Sequence, residues 1–392
     1  MNSTGLILSG GGARAAYQVG VLAAIARMRR EAGASQGNLF PVISGTSAGA
    51  INAAFLACNA DNFDGAIEEL VEVWRDFQVE QVYRSDVLGM IRSGARWLSL
   101  LSLGWLITQK RFRPKSLLDN TPLSTLLQDR LALTRLPALL EQGHLQALAI
   151  TASSYSTGEH VTFYESCHAV TPWVRNQRLS QHGRLTHEHL LASSAIPFIF
   201  PSTPLWVDGG MEFFGDGSMR QLSPLSSAVH LGADRILAIG VGQPQRTGLG
   251  TPFPTHGRPS LGAIAGHAMA SVFHDTLDAD VAQINRVNQS LSRLPDPVRA
   301  ELPFRSVQVL ALQPSASLDA LAQEHAHALP KPIIRVLEGL GALRGSGAAL
   351  ASYLLFEPGF IQALMALGQA DVHTRADEIL AFLSPQPSQP VR

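Results

Sequence analysis

Ser47 sits at the centre of Gly45-Thr46-Ser47-Ala48-Gly49, after an apolar run and before an alanine-rich one. A serine in a Gly-x-Ser-x-Gly pentapeptide occupies a sharp strand-to-helix turn, and the flanking glycines Gly45 and Gly49 remove the Cβ clashes that would forbid it. The hydroxyl then stands at a helix N-terminus, where backbone N–H groups and the helix dipole favour developing negative charge. Upstream, Gly10-Gly11-Gly12-Ala13-Arg14 follows the apolar run Gly5-Leu6-Ile7-Leu8-Ser9. The unhindered N–H groups of Gly10, Gly11 and Gly12 can converge on one anion. Attack of Ser47 on an ester carbonyl creates such an anion, so the two glycine motifs fit one site, a nucleophile and its oxyanion hole.

A serine nucleophile needs a base, and two Asp-Gly pairs compete. Asp208-Gly209 separates two short aromatic runs and is explained by a β-hairpin turn. Asp216 lies at the exit of the second run, in Gly215-Asp216-Gly217-Ser218, and is the preferred base. Among the 13 histidines, His230, His267 and His274 follow Asp216 in the chain order of a Ser–Asp–His triad. None lies in a recognisable loop motif, so a direct Ser47–Asp216 dyad is the simpler reading.

These residues need a scaffold that brings strand ends together. Apolar strands are expected at 6–9, 40–44, 145–151, 235–241 and 307–312. Helices are expected at 15–29 and 48–58, and an amphipathic one through Phe273, Leu277, Val281 and Ile284. The strands are continuously apolar, as in a parallel sheet covered on both faces. Strand–helix alternation gives a layered α/β fold, whose ligands bind beyond the carboxyl ends of the strands, where both glycine motifs fall. Residues 85–115 break the pattern, with Trp97, Leu98 and Trp105 flanked by Arg92, Arg96, Lys110 and Arg111. They read as a lid or interfacial segment or as a buried helix pair. The expected organisation is a catalytic core over 1–242, a Pro/Gly-rich connector over 243–262, a C-terminal strand and helices packing on the core over 263–383, and a disordered tail over 384–392.

The 392 residues are 46% hydrophobic and 16% charged, with a net charge of −1, so no global attraction to nucleic acid is expected. Cys58 and Cys167 are the only cysteines; in apolar surroundings they read as reduced, consistent with a cytosol-like compartment. No secretory signal and no apolar run of ~20 residues is found. The expected location is cytoplasmic, and the lid or interfacial reading of 85–115 adds peripheral membrane contact. His187-Glu188-His189 and His325-Ala326-His327 lack the spacing of a metal-binding helix motif, and no cofactor or metal is expected.

Gly10-Gly11-Gly12-Ala13-Arg14, Gly45-Thr46-Ser47-Ala48-Gly49 and Gly215-Asp216-Gly217-Ser218 together resemble the three signatures of the patatin-like phospholipases, in that family's order. Ala192-Ser193-Ser194-Ala195-Ile196-Pro197, Leu231-Gly232-Ala233-Asp234-Arg235 and Ser352-Tyr353-Leu354-Leu355-Phe356-Glu357 extend the resemblance over nearly the whole chain. It implies a three-layer modified α/β-hydrolase fold with a mostly parallel central sheet and additional C-terminal helices. It also implies a serine lipid acyl hydrolase of the phospholipase A type, without a catalytic histidine. Carried over by motif, Ser47 is the nucleophile, Asp216 the base, and the backbone of Gly10, Gly11 and Gly12 the oxyanion hole. Arg14 closes the glycine motif and either meets a lipid phosphate or stabilises its loop through ion pairs. Ala15 and Ser218 depart from the family pattern, each standing where another small residue is usual.

Competing readings are a neutral-lipid lipase, thioesterase or acyltransferase using the same dyad, and a non-catalytic lipid-binding protein. Gly10-x-Gly12-x-x-Ala15 also satisfies a dinucleotide-binding fingerprint. That reading lacks the acidic residue required at the end of the second strand.

Overall fold

The structure is a computed structural model that describes residues 3–33, 37–84, 116–175, 177–242, 276–330, 333–334 and 348–384. The 85–115 segment, the 243–262 connector, His267, Phe273, His274 and the tail beyond Ser384 lie outside the described residues.

Ten described strands form one sheet. They are β1 (Thr4–Leu8), β2 (Val42–Thr46), β3 (Ala147–Ser154), β4 (His160–Ser166), β5 (Val174–Arg175), β6 (Arg178–His182), β7 (Thr203–Val207), β8 (Gly210–Asp216), β9 (Arg235–Ile239) and β10 (Gln308–Leu312). The main order is β10-β9-β1-β2-β3-β4-β6-β5, and the stretch from β10 to β3 is parallel throughout. Side chains alternate between two buried faces, as period-2 geometry requires. Leu6, Leu8 and Ile43 enter one core, whereas Ile7, Val42 and Ala149 enter the other.

The helices used below are α1 (Ala16–Glu31), α2 (Ala48–Cys58), α3 (Phe63–Arg75), α4 (Thr121–Arg130), α5 (His187–Ser193), α6 (Leu277–Ser292), α7 (Leu318–His325), α8 (Ala348–Leu354) and α9 (Pro358–Thr374). Tyr17, Leu22, Phe55 and Leu70 from α1, α2 and α3 cover the first sheet face, joined by Phe360 and Leu364 of α9. Leu277, Val281 and Ile284 of α6 pack over the second, with Leu225 and Ala228. Helix–sheet–helix layering and a mostly parallel centre make this the layered α/β fold expected from the strand pattern, with the three layers that the family resemblance implies.

The arrangement of β8 positions the site. β3 is longer than its neighbour: residues Ala147 to Thr151 pair with β2, and Ala152 to Ser154 pair antiparallel with β8. β2 and β8 therefore approach end to end along the same edge of β3. The carboxyl end of each strand, Thr46 and Asp216, arrives at the same point. The observed β2 extends two residues beyond the expected 40–44, because Gly45 and Thr46 still pair with Ile150 and Thr151 before the chain turns. Ahead of α1, a 3-10 turn over Gly12–Ala15 redirects the glycine motif.

Candidate active site

Ser47 is the single residue between β2 and α2. Its φ of 54° and ψ of −131° lie where non-glycine residues are rarely found, a strain typical of functional turns. The flanking glycines allow the tight passage. A Cβ on Gly49 would stand 2.3 Å from the Leu8 carbonyl oxygen, and one on Gly45 would stand 2.4 Å from that of Gly49. A further bond fixes the turn. Ser47 N–H donates to Ser193 Oγ at 2.8 Å, and Ser193 Oγ donates to the Thr151 carbonyl at 2.6 Å. Ser193, at the end of α5, belongs to a stretch whose sequence was recognisable, but this role was not.

Ser47 Oγ donates to Asp216 Oδ2 at 2.6 Å. The other carboxylate oxygen accepts the Ser218 N–H at 2.8 Å. The Asp216 loop is held through its backbone, with Asp216 N–H donating to Ala195 O and Gly217 N–H to Ser193 O. From the other side, His160 Nε2–H donates to Gly217 O at 2.8 Å. Burial lowers the His160 pKa to about 4, so the ring is neutral at physiological pH and serves as a structural donor. Asp216 is fully buried. Desolvation raises its carboxyl from 3.8 to about 6, against the lowering effect of the Ser47 and Ser218 hydrogen bonds. A carboxylate with such a pKa is a far better proton acceptor than an exposed one, yet is still ionised at pH 7.

The glycine motif packs directly on this pair. A Cβ on Gly10 would lie 2.9 Å from Ser47 Cβ, and Gly12, at φ +54°, presses against the Tyr353 carbonyl. No hydrogen bond among the described residues draws on the Gly10, Gly11 or Gly12 N–H groups. Arg14 is buried. Its guanidinium pairs with Asp319 of α7, donates from Nε to Ser352 Oγ of α8 at 2.7 Å, and lies 4.1 Å over the Tyr353 ring. This geometry ties the glycine loop to the C-terminal helices; a lipid phosphate at Arg14 would have to compete with Asp319.

From Ser47 an apolar pocket runs between α2, α3 and α4, walled by residues such as Ile51, Phe55, Trp74, Leu123, Leu127 and Phe356. Arg130, at the end of α4, is the exposed residue among its described lining. Buried polar links brace this wall against the glycine loop. Trp74 Nε1 donates to Asn52 Oδ1, Asn52 donates to Gln18, and Gln18 Nε2 donates to the Ser9 carbonyl.

The rival candidates are placed elsewhere. Asp208 (φ +47°) and Gly209 (φ +81°) form the exposed tip of the β7–β8 hairpin. His230 stacks on Trp173 at 4.5 Å. No described histidine bonds to Ser47 or Asp216. His187 bonds to Leu131 O, His189 packs on Phe163, and His325 packs on Phe360. Among the described residues no group of His, Cys, Asp and Glu could hold a metal ion, and no helix is long and apolar enough to cross a membrane. Both cysteines are free; burial raises the Cys58 thiol to about 12.

No curated protein matches the chain significantly. Among solved structures, VipD from Legionella pneumophila is 16% identical, with 80% of this chain and 61% of that chain covered and a TM-score of 0.31. Human GIVD cytosolic phospholipase A2, solved with methyl gamma-linolenyl fluorophosphonate and terbium chloride, is 14% identical, with 97% and 59% covered and a TM-score of 0.43. The type III effector protein ExoU is 14% identical, with 100% and 83% covered and a TM-score of 0.27. The chain thus spans about three-fifths of the length of VipD and of the human enzyme. The family model described as Patatin-like phospholipase matches residues 6–229, which include the glycine loop, the serine turn and the aspartate motif. That match covers more than half of the chain, and the protein belongs to the patatin-like phospholipase family.

Proposed function

We propose that this protein is a serine lipid acyl hydrolase of the phospholipase A type, working through a Ser47–Asp216 dyad. The observation that carries the reading is the buried 2.6 Å hydrogen bond from Ser47 Oγ to Asp216, at the inner end of an apolar pocket. The ester carbonyl sits at Ser47 with its acyl chain along Ile51, Phe55 and Leu127. Ser47 Oγ attacks the carbonyl carbon as its proton passes to Asp216, and the Gly10, Gly11 and Gly12 N–H groups receive the oxyanion. The tetrahedral intermediate collapses, and Asp216 returns the proton to the leaving alcohol. Water then attacks acyl-Ser47 by the reverse sequence and releases the fatty acid. Arg14 holds the oxyanion loop from behind through Asp319 and Ser352. The outward face of the β7–β8 hairpin, where Trp206, Met211 and Phe213 are exposed, is the surface we assign to lipid contact.

Hydrolysis of a phospholipid panel by wild type and Ser47→Ala tests the reading. Fatty-acid release that disappears in the mutant supports it. Release confined to acylglycerols or thioesters moves the assignment to a lipase or thioesterase with the same dyad. Binding without release, or full activity in the mutant, contradicts it.

A further inference from the structure

The Ser218 hydroxyl lies within the dyad's surroundings but makes no hydrogen bond in the resting arrangement. Its Oγ is buried and has no hydrogen-bond partner, although the same residue's N–H donates to Asp216 Oδ1 at 2.8 Å. The hydroxyl rests against the oxyanion loop, since a Cβ on Gly10 would stand 2.1 Å from it and 2.9 Å from Ser47 Cβ. It is close enough to the Asp216 carboxylate to help lower its pKa, behind the Ser47 hydroxyl and the Ser218 N–H. It nevertheless lacks the geometry of a formed hydrogen bond. Ser47 already supplies Oδ2 with a donor at 2.6 Å. A buried hydroxyl without a partner is unfavourable. Its presence beside reacting groups points to a different state of the site in which it is satisfied.

The reaction creates such a state. Acylation turns Ser47 Oγ into an ester oxygen with no hydrogen, so Asp216 loses its 2.6 Å donor before it must take a proton from water. We propose that Ser218 is a positioning residue for deacylation, its hydroxyl turning to donate to Asp216 in the acyl-enzyme in place of Ser47. In that step the water oxygen bonds to the acyl carbon and a water proton passes to Asp216. The acyl carbon–Oγ bond then breaks and the proton moves from Asp216 to Ser47 Oγ. Ser218 keeps its own proton throughout. This inference rests on the dyad reading above.

Ser218→Ala separates the two half-reactions. The labelling rate of Ser47 by a methyl alkyl fluorophosphonate reads the attack step alone. Turnover of a p-nitrophenyl ester, whose good leaving group makes acylation fast, reads deacylation. The expected result is labelling within about twofold of wild type, and turnover slower by about tenfold, the effect of one hydrogen bond to a charged acceptor. Acyl-Ser47 should accumulate in the intact mass. The acid limb of kcat should move to higher pH by more than that of kcat/KM, which carries only the small resting-state effect of the hydroxyl on Asp216. Ser218→Gly, checked by thermal melting, should repeat the pattern if the alanine variant folds poorly. Labelling and turnover slowed equally, or both unchanged, overturns the inference while leaving the dyad intact. A wild type that never labels at Ser47 overturns the dyad reading and this inference with it.

Discussion

Asp216→Asn replaces a fully buried carboxyl with a neutral isostere, and its effect on stability should depend on pH. Desolvation raises the Asp216 pKa from 3.8 to about 6. The folded protein therefore keeps a proton between these values that the unfolded chain has released. The unfolded state binds fewer protons in this window, so the contribution of Asp216 to stability is intact below pH 3.8. It is lost as pH rises through about 6. About two pKa units at 1.36 kcal/mol each give a loss of about 3 kcal/mol at neutral pH. The asparagine variant stays neutral and escapes this loss. Urea unfolding of both proteins from pH 4 to 7 should show the stability difference moving in favour of Asp216→Asn by up to about 3 kcal/mol. Wild-type kcat/KM should lose activity on an acid limb near pH 6, and the variant should be inactive. A difference that stays flat across this range, together with an acid limb near pH 4, would exclude a raised carboxyl at Asp216. Asp216 would then be solvated, and the dyad would lack its raised base.

Three further substitutions test the surrounding structure. Ser193→Ala removes the acceptor of the Ser47 N–H and the donor to Thr151 O. It should lower unfolding free energy by about 1–3 kcal/mol in urea titrations and slow fluorophosphonate labelling. Gly10→Ala would drive a Cβ to 2.1 Å from Ser218 Oγ and 2.9 Å from Ser47 Cβ. On the proposed role of the Gly10 N–H as an oxyanion donor, disturbing it should cost about 3 kcal/mol of barrier, a hundredfold or more in kcat, with thermal melting reporting whether the fold persists. Ile51→Trp fills the pocket beside Ser47. A chain-length series of esters should show long-chain turnover falling well below short-chain turnover; equal losses at every length would mean that the acyl chain lies elsewhere.

Local conformation was legible in the sequence wherever it was written in glycines. The serine turn, the glycine loop and the exit of Asp216 from a hairpin strand all fall where their residue types required, because each is a conformation few other residues adopt. Asp208 was separable from Asp216 for the same reason, since an Asp-Gly hairpin tip explains it locally. Long-range meetings were not legible. The end-to-end approach of β2 and β8 depends on three residues of β3 outlasting their partner strand, which no local pattern encodes. Arg14 left two roles open because Asp319 and Ser352 are 305 and 338 positions away. Nothing local marks the apolar positions of α2, α3 and α4 as a pocket wall, because only packing separates pocket wall from core. The β2 boundary was placed two residues early because Gly45 and Thr46 look like turn residues while still pairing with β3.

In the proposed mechanism Ser47 is an activated nucleophile and Asp216 its base. Intact-protein mass and peptide mapping after treatment with a methyl alkyl fluorophosphonate test it most directly, on wild type, Ser47→Ala, Asp216→Asn and Asp208→Asn. A single adduct on Ser47 is expected in wild type and Asp208→Asn, none in Ser47→Ala, and strongly slowed labelling in Asp216→Asn. Labelling of Ser47 that is unaffected by Asp216→Asn, or an adduct on another residue, would contradict it.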